Sequence, residues 1–258
     1  MTSTPCVFAS EPGLADPSVE KAKAIYAKLC ELPAPLFHAP SPACKDGLDP
    51  ALQPAIADLL LHPALEAAFH LLNHALYPAH FLVRKMQNAR AGQHLHGILH
   101  RVEGDYDNAR VWYVEASGLG ERTNNKTDRG GEDAFVEFWS SMAGLVACEP
   151  GVGGAVEAAG GGAELARNAA IAFIERVQRL KENSKGQVQD AGAGKEERRV
   201  LEQISKAELE AVVEWAAREY GWGTWHGGDG SASYTESTEE QKEEMRRQQH
   251  GGEGFRQF

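Results

Sequence analysis

The stretch HLHGILHRVEGDYDNARVWY, residues 94–113, decides the fold. Over residues 93–103 the apolar residues Leu95, Leu99 and Val102, with Ile98 at their edge, recur at helical spacing and form one stripe. Gly104 then breaks the pattern. Glycine enters the left-handed turn that ends a helix, Asp105 stands where it can cap a following helix, and Asn108 can hydrogen-bond back across the bend. The segment therefore reads as the elbow of a helical hairpin, with Trp112 and Tyr113 as core candidates on its second arm.

Working outward, the same period persists in both directions, and no run alternates in the β manner, so an all-α architecture is expected. Asp16 and Pro17 open a helix with Ala22, Ile25, Tyr26 and Leu29 on its inner face. Five prolines between Pro33 and Pro50 imply an extended crossing, after which Pro63 suits the first turn of another helix. On that helix Leu65, Phe69, Leu72 and Leu76 form the stripe, which puts His70 and His74 on the opposite side. A short helix follows Pro78, and Gly92 separates it from the quoted stretch. Helices are also expected over 133–148, with Phe135, Phe138, Trp139, Met142 and Val146 inward, and over 163–182. Ser205 and Glu208 have capping-box spacing and mark a helix start, with Gly221 ending that helix.

Glycine-rich or polar stretches near 119–131, 149–162 and 183–195 read as linkers. The expected organisation is a flexible N-terminus over 1–15, a single helical domain of irregular antiparallel hairpins over 16–235, and a charged segment over 236–258. Phe255 and Phe258 at the end of that segment either dock or fray. Trp222 and Trp225 are expected to pin a loop onto the helices.

The four cysteines show no C-x-x-C spacing and the chain opens on no basic-plus-apolar leader, so a reducing cytoplasmic or nuclear setting is expected. No stretch is apolar for long enough to cross a membrane. A net charge of −11 argues against general nucleic-acid binding. The charge is uneven, however. Residues 67–102 contain no Asp or Glu, yet hold six of the ten histidines with Arg84, Lys85, Arg90 and Arg101, so any site is expected there.

On the first arm of the hairpin, His96 and His100 stand four residues apart and Glu103 three further on, so all three share one flank. Imidazoles at that spacing can chelate a divalent metal ion, with the carboxylate completing or orienting the site. The bland alternative has the histidines packed beside aromatics and hydrogen-bonded to Glu103 or Asp105. A second reading uses Arg101 with His96, His100 and Trp112 to collect a small anionic ligand, because guanidinium donates paired hydrogen bonds to carboxylate or phosphate oxygens. Its alternative is ordinary pairing of Arg101 with acids elsewhere.

Residues 97–116, GILHRVEGDYDNARVWYVEA, resemble the helix-turn-helix unit of a tetratricopeptide repeat, with Gly97 at its close approach, Gly104-Asp105-Tyr106 at its turn, and Ala109, Tyr113 and Ala116 on its second helix. Gln93, His100 and Glu121 depart from that pattern, and no second copy follows, so one repeat-like hairpin is implied rather than an array. The fuller string, with the glycine-rich tail, resembles a group of uncharacterised, mainly fungal helical proteins, which brings no activity with it. Two functions are thus expected to compete: a helical scaffold or binding protein holding a protein segment or small anionic ligand on a basic, histidine-rich face, and an enzyme with a metal or acid-base site at His96, His100 and Glu103, assisted by Arg101 and Asp105.

Overall fold

The computed structural model describes residues 16–37, 47–120, 130–147, 162–186 and 193–226, and among them every regular element is an α-helix. In chain order these are α1 (Pro17–Glu31), α2 (Leu52–Ala57), α3 (Pro63–Leu72), α4 (Leu76–Lys85), α5 (Arg90–Glu103), α6 (Tyr106–Ala116), α7 (Gly130–Ala147), α8 (Gly162–Gly186) and α9 (Ala193–Tyr220). The expected all-α class holds. Phe255, Phe258, the charged tail and the glycine-rich connector over 149–161 lie outside the described residues.

Local chemistry sets several boundaries as expected. Asp16 caps α1 by accepting from the Ser18 amide at 2.9 Å, ahead of Pro17. Gly104 ends α5 at φ +92°, and Asp105 caps α6 by accepting from the Asn108 amide at 3.3 Å. Gly221 ends α9 at φ +80°. Gly92, in contrast, is no separator. It lies inside the first turn of α5, where Met86 packs too closely on its Cα to leave room for a side chain.

Helix α3 sits at the centre, packed by α1, α2, α4, α5 and α9. This corrects the expected outward placing of His70 and His74, which are buried at 1% and 5% exposure. An apolar stripe implies one buried face, whereas a helix packed by five others has no solvent face to offer. His74 leaves the helix in a left-handed conformation, φ +59°, and its Nε2 lies 3.0 Å from the carbonyl oxygen of Pro33, tying the proline-rich crossing to α3. Helices α7 and α8 form a long pair around Trp139 and Phe173. Arg176 of α8 closes the C-terminus of α7 by donating to the Leu145 carbonyl at 3.2 Å, while pairing with Glu197 of α9 at 2.7 Å.

The α5–α6 hairpin depends on Gly97. A methyl group there would overlap the ring of Tyr113, which is fully buried and held by further hydrogen bonds. Gly97→Ala is therefore expected to destabilise the protein by about 1–3 kcal/mol in urea melts. Gly144→Ala provides the contrast, since nothing lies within 4 Å of that Cβ position in α7 and removing a helical glycine stabilises by about 0.5–1 kcal/mol. The likeness of this hairpin to a tetratricopeptide repeat is loose.

Trp222 and Trp225 do pin the segment after α9 to the helical body. Trp222 meets Tyr26 and Phe69, while Trp225 meets His62 edge-on at 4.6 Å and its amide donates to the Leu60 carbonyl at 2.6 Å. His62 stacks on Tyr220 at 3.5 Å and caps α3, its Nδ1 accepting from the Ala64 amide at 3.2 Å. An imidazole can accept there only when neutral. Burial holds its pKa down at about 4, against 6.5 in the unfolded chain. The unfolded chain therefore takes up the proton first, and the stability this residue contributes is complete above about pH 6.5 and lost as pH falls through about 4. The loss amounts to at most about 3 kcal/mol. His62→Asn, which keeps a cap acceptor but cannot titrate, is expected to flatten that part of the pH profile in denaturant melts.

Candidate metal centre and the buried ion pair

Helix α5 presents two polar flanks, and the structure separates them completely. One carries His96 and His100, the other His94 and Arg101. All four side chains are buried, Arg101 fully so.

The His96 flank faces α4 and α6. His96 and His100 stack with centroids 4.8 Å apart, as one helical turn requires, and His80 of α4 approaches both edge-on, at 5.2 and 5.5 Å. One ligand nitrogen from each of the three lies within 4.8 Å of the other two, the one group of this kind among the described residues. Trp112 of α6 backs the cluster, stacked on His96 at 4.1 Å. Glu103 stands outside it, its Oε2 3.0 Å from His100 Nδ1. That contact places the proton on Nδ1 and turns Nε2 toward the cluster, where the Asn108 amide nitrogen sits 3.3 Å away. Asn108 in turn donates to Asp105 at 3.5 Å, so the elbow supports this side of the ring cluster.

The group that converges differs from the expected set of His96, His100 and Glu103. Glu103 orients His100, and the third converging group is His80, which half-buried α4 supplies from a different helix. The sequence placed His80 in the acid-free segment but could not bring it to His96, because the α4–α5 packing decides that meeting. His226 is exposed and does not join. Trp112 is a buried backing ring.

The Arg101 flank faces α9. Arg101 Nη2 donates to Glu208 Oε2 at 3.0 Å and to Ser205 Oγ at 3.1 Å, and the guanidinium lies 4.9 Å over the Phe173 ring. The second oxygen of Glu208 accepts from the Tyr113 hydroxyl at 2.6 Å and meets His94 Nε2 at 2.8 Å. Ser205 passes a further hydrogen bond to the Pro35 carbonyl at 3.2 Å. Burial pushes the Glu208 carboxyl up, but Arg101, His94 and Tyr113 outweigh it and hold it below its ordinary value. Burial and the neighbouring Glu208 carboxylate push the Tyr113 phenol well up, so it stays a donor.

Two expectations change here. Arg101 is closed off from any ligand by its ion pair and total burial, so it is not the anion-collecting residue of an exposed face. The rest of that basic face is also dispersed, with Lys85 lying over Phe81 at 4.4 Å and Arg90 packed against Gly118. Ser205 and Glu208 do not start a helix either. They lie in the middle of the continuous α9, where their three-residue spacing puts both on the face that meets Arg101. The signal that could have exposed them is a serine and a glutamate flanked by Leu201, Ile204, Leu209 and Val212, polar groups on an otherwise apolar inner face. No helix among the described residues is long and apolar enough to cross a membrane. No family model, curated protein or solved structure matches this chain.

Proposed function

We propose that this helical protein binds a divalent transition-metal ion through His80, His96 and His100. The observation that carries the reading is the convergence of three imidazole nitrogens from two helices on one point. Imidazole ligands suit zinc, copper, iron and nickel over magnesium or calcium. A zinc ion with bonds of about 2.0–2.1 Å would draw the three nitrogens in to roughly 3.3 Å of one another. His80 is the least buried of the three. Glu103 supports the reading independently, since metal-bound histidines commonly give their second N–H to a carboxylate that fixes the ring. Asn108 would yield its place at His100 Nε2 to the ion.

Three protein ligands leave a coordination position for water or for a small anionic ligand. At zinc such a water ionises near neutral pH, which is the usual starting point for metal-assisted hydrolysis or hydration. The anionic-ligand expectation is thereby retained with the metal in the role first given to Arg101.

The test is metal content. Protein from its native source or a metal-supplemented host is expected to retain about one equivalent of a transition metal per chain, read by elemental analysis. His80→Ala and His96→Ala are each expected to abolish retention. Folded protein that stays metal-free under zinc, iron, manganese and copper supplementation would overturn the reading and leave the three rings as packing between α4, α5 and α6.

A further inference from the structure

The Asn108 side chain stands on the nitrogen of His100 that a metal ion would use. We propose, resting on the metal reading, that Asn108 is a built-in competitor of the ion: it occupies the ligand lone pair of His100 in the metal-free protein, and its displacement sets the affinity of the site.

The His100 ring is held from both sides. Glu103 Oε2 lies 3.0 Å from Nδ1, and the Asn108 amide nitrogen lies 3.3 Å from Nε2. An ionised carboxylate only accepts, so in the neutral ring the proton sits on Nδ1 and Nε2 is left without one. An unprotonated imidazole nitrogen offers a single lone pair. The Asn108 N–H claims it, and a metal bond of about 2.0–2.1 Å needs the same one, so the two exclude each other. The ring proton does not stand in the way, since Glu103 keeps it on the far nitrogen. Asn108 is what the ion displaces at this ligand.

The fold leaves the displaced amide provided for. Asn108 is half-buried in the first turn of α6, and its amide nitrogen also reaches Asp105 Oδ2 at 3.5 Å. The cap of α6 does not depend on this side chain, because Asp105 Oδ1 accepts from the Asn108 backbone amide at 3.3 Å. Truncating Asn108 thus frees His100 and leaves the elbow standing.

Glu103 and Asn108 touch one ring with opposite consequences for the metal. Glu103 fixes the ring and makes it a more basic ligand, so losing its carboxylate weakens binding. Losing Asn108 removes a competitor, so binding tightens. A side chain that only supported the packing of the cluster would weaken binding when removed, which makes the direction of the change diagnostic.

The experiment is a zinc titration of the intact protein, read by competition with a colorimetric chelator, for wild type and Asn108→Ala. Asn108→Ala is expected to bind zinc about 3–10-fold more tightly, the fold-change of one net hydrogen bond, with unchanged helicity by circular dichroism. Asn108→Ser, too short to reach the ring, is expected to behave alike. A second readout needs no metal. In side-chain ¹⁵N spectra of the metal-free protein, His100 Nε2 is expected to be the unprotonated nitrogen, and its resonance should move in Asn108→Ala while the proton stays on Nδ1. Equal or weaker zinc binding by folded Asn108→Ala would overturn the proposal and leave the metal reading intact, weaker binding marking the Asn108 amide oxygen as a ligand in its own right. An unmoved His100 Nε2 resonance would overturn it as well. Zinc binding by neither protein removes the metal reading and this proposal with it.

Discussion

Glu208→Ala is expected to destabilise the protein by about 3–5 kcal/mol, the largest effect of any single polar substitution in the described core. The reason is what it leaves behind. Arg101 would remain fully buried with its charge uncompensated, and Tyr113 and His94 would lose the oxygen they share. Removing both charges together should cost far less. Arg101→Met with Glu208→Leu replaces the pair by apolar groups of similar volume, a change that is often neutral or stabilising when a buried ion pair is removed whole. Urea melts of the two single variants and the double variant form a cycle, and a strongly sub-additive double variant is the expected outcome. Purely additive losses would show that the two side chains act separately, contrary to the 3.0 Å contact. The pH dependence has a definite sign. Glu208 is held below its ordinary value, so its ionised form stabilises the fold above the unfolded carboxylate range, and that contribution is lost as pH falls through its folded value.

The second large effect is stabilisation by metal. A ligand bound only by the folded chain adds about 4 kcal/mol when its free concentration is a thousandfold above Kd, so zinc should raise Tm by several degrees and a chelator should reverse the rise. Variants then discriminate between the ligand set expected from sequence and the one proposed from the three converging rings. On the proposed ligand set His80→Ala should abolish the zinc response, since its ring is one of the three that converge. Glu103→Gln should retain the response with affinity reduced roughly 10–100-fold, because Glu103 meets His100 Nδ1 from outside the converging group. If Glu103→Gln abolished binding while His80→Ala left it intact, the carboxylate would be the third ligand after all. Identical melting of every variant with and without metal would remove the metal function.

Both experiments turn on α5, whose two flanks were legible to different degrees. The i, i+4 spacing of His96 and His100 places them on one flank in any helix, and their stacking follows from that alone. Arg101 was equally visible as a residue but not as a buried one. An arginine inside a histidine-rich, acid-free segment looks like part of a basic surface until its partner is known, and that partner stands 107 positions away. The same holds for Ser205 and Glu208, whose spacing matches a helix cap and an inner polar pair equally well. Only the absence of a helix end at that point distinguishes them.

His70 and His74 fail for a related reason. A hydrophobic stripe identifies the most apolar face of a helix, but how many faces are covered depends on how many helices surround it. At α3 the answer is five, and both histidines go inside.

The sequence by itself determined what short-range chemistry controls: the helical period, the caps at Asp16 and Asp105, and the left-handed elbow at Gly104 with the close approach at Gly97. These rest on backbone conformations and hydrogen bonds that span a few residues, so the local residue types suffice to specify them. Tertiary structure decided which polar groups meet: His80 with His96 and His100, and Glu208 with Arg101. Those meetings depend on the crossing of helices far apart in the chain, and a helical period records which way a side chain points but not what has been packed opposite it.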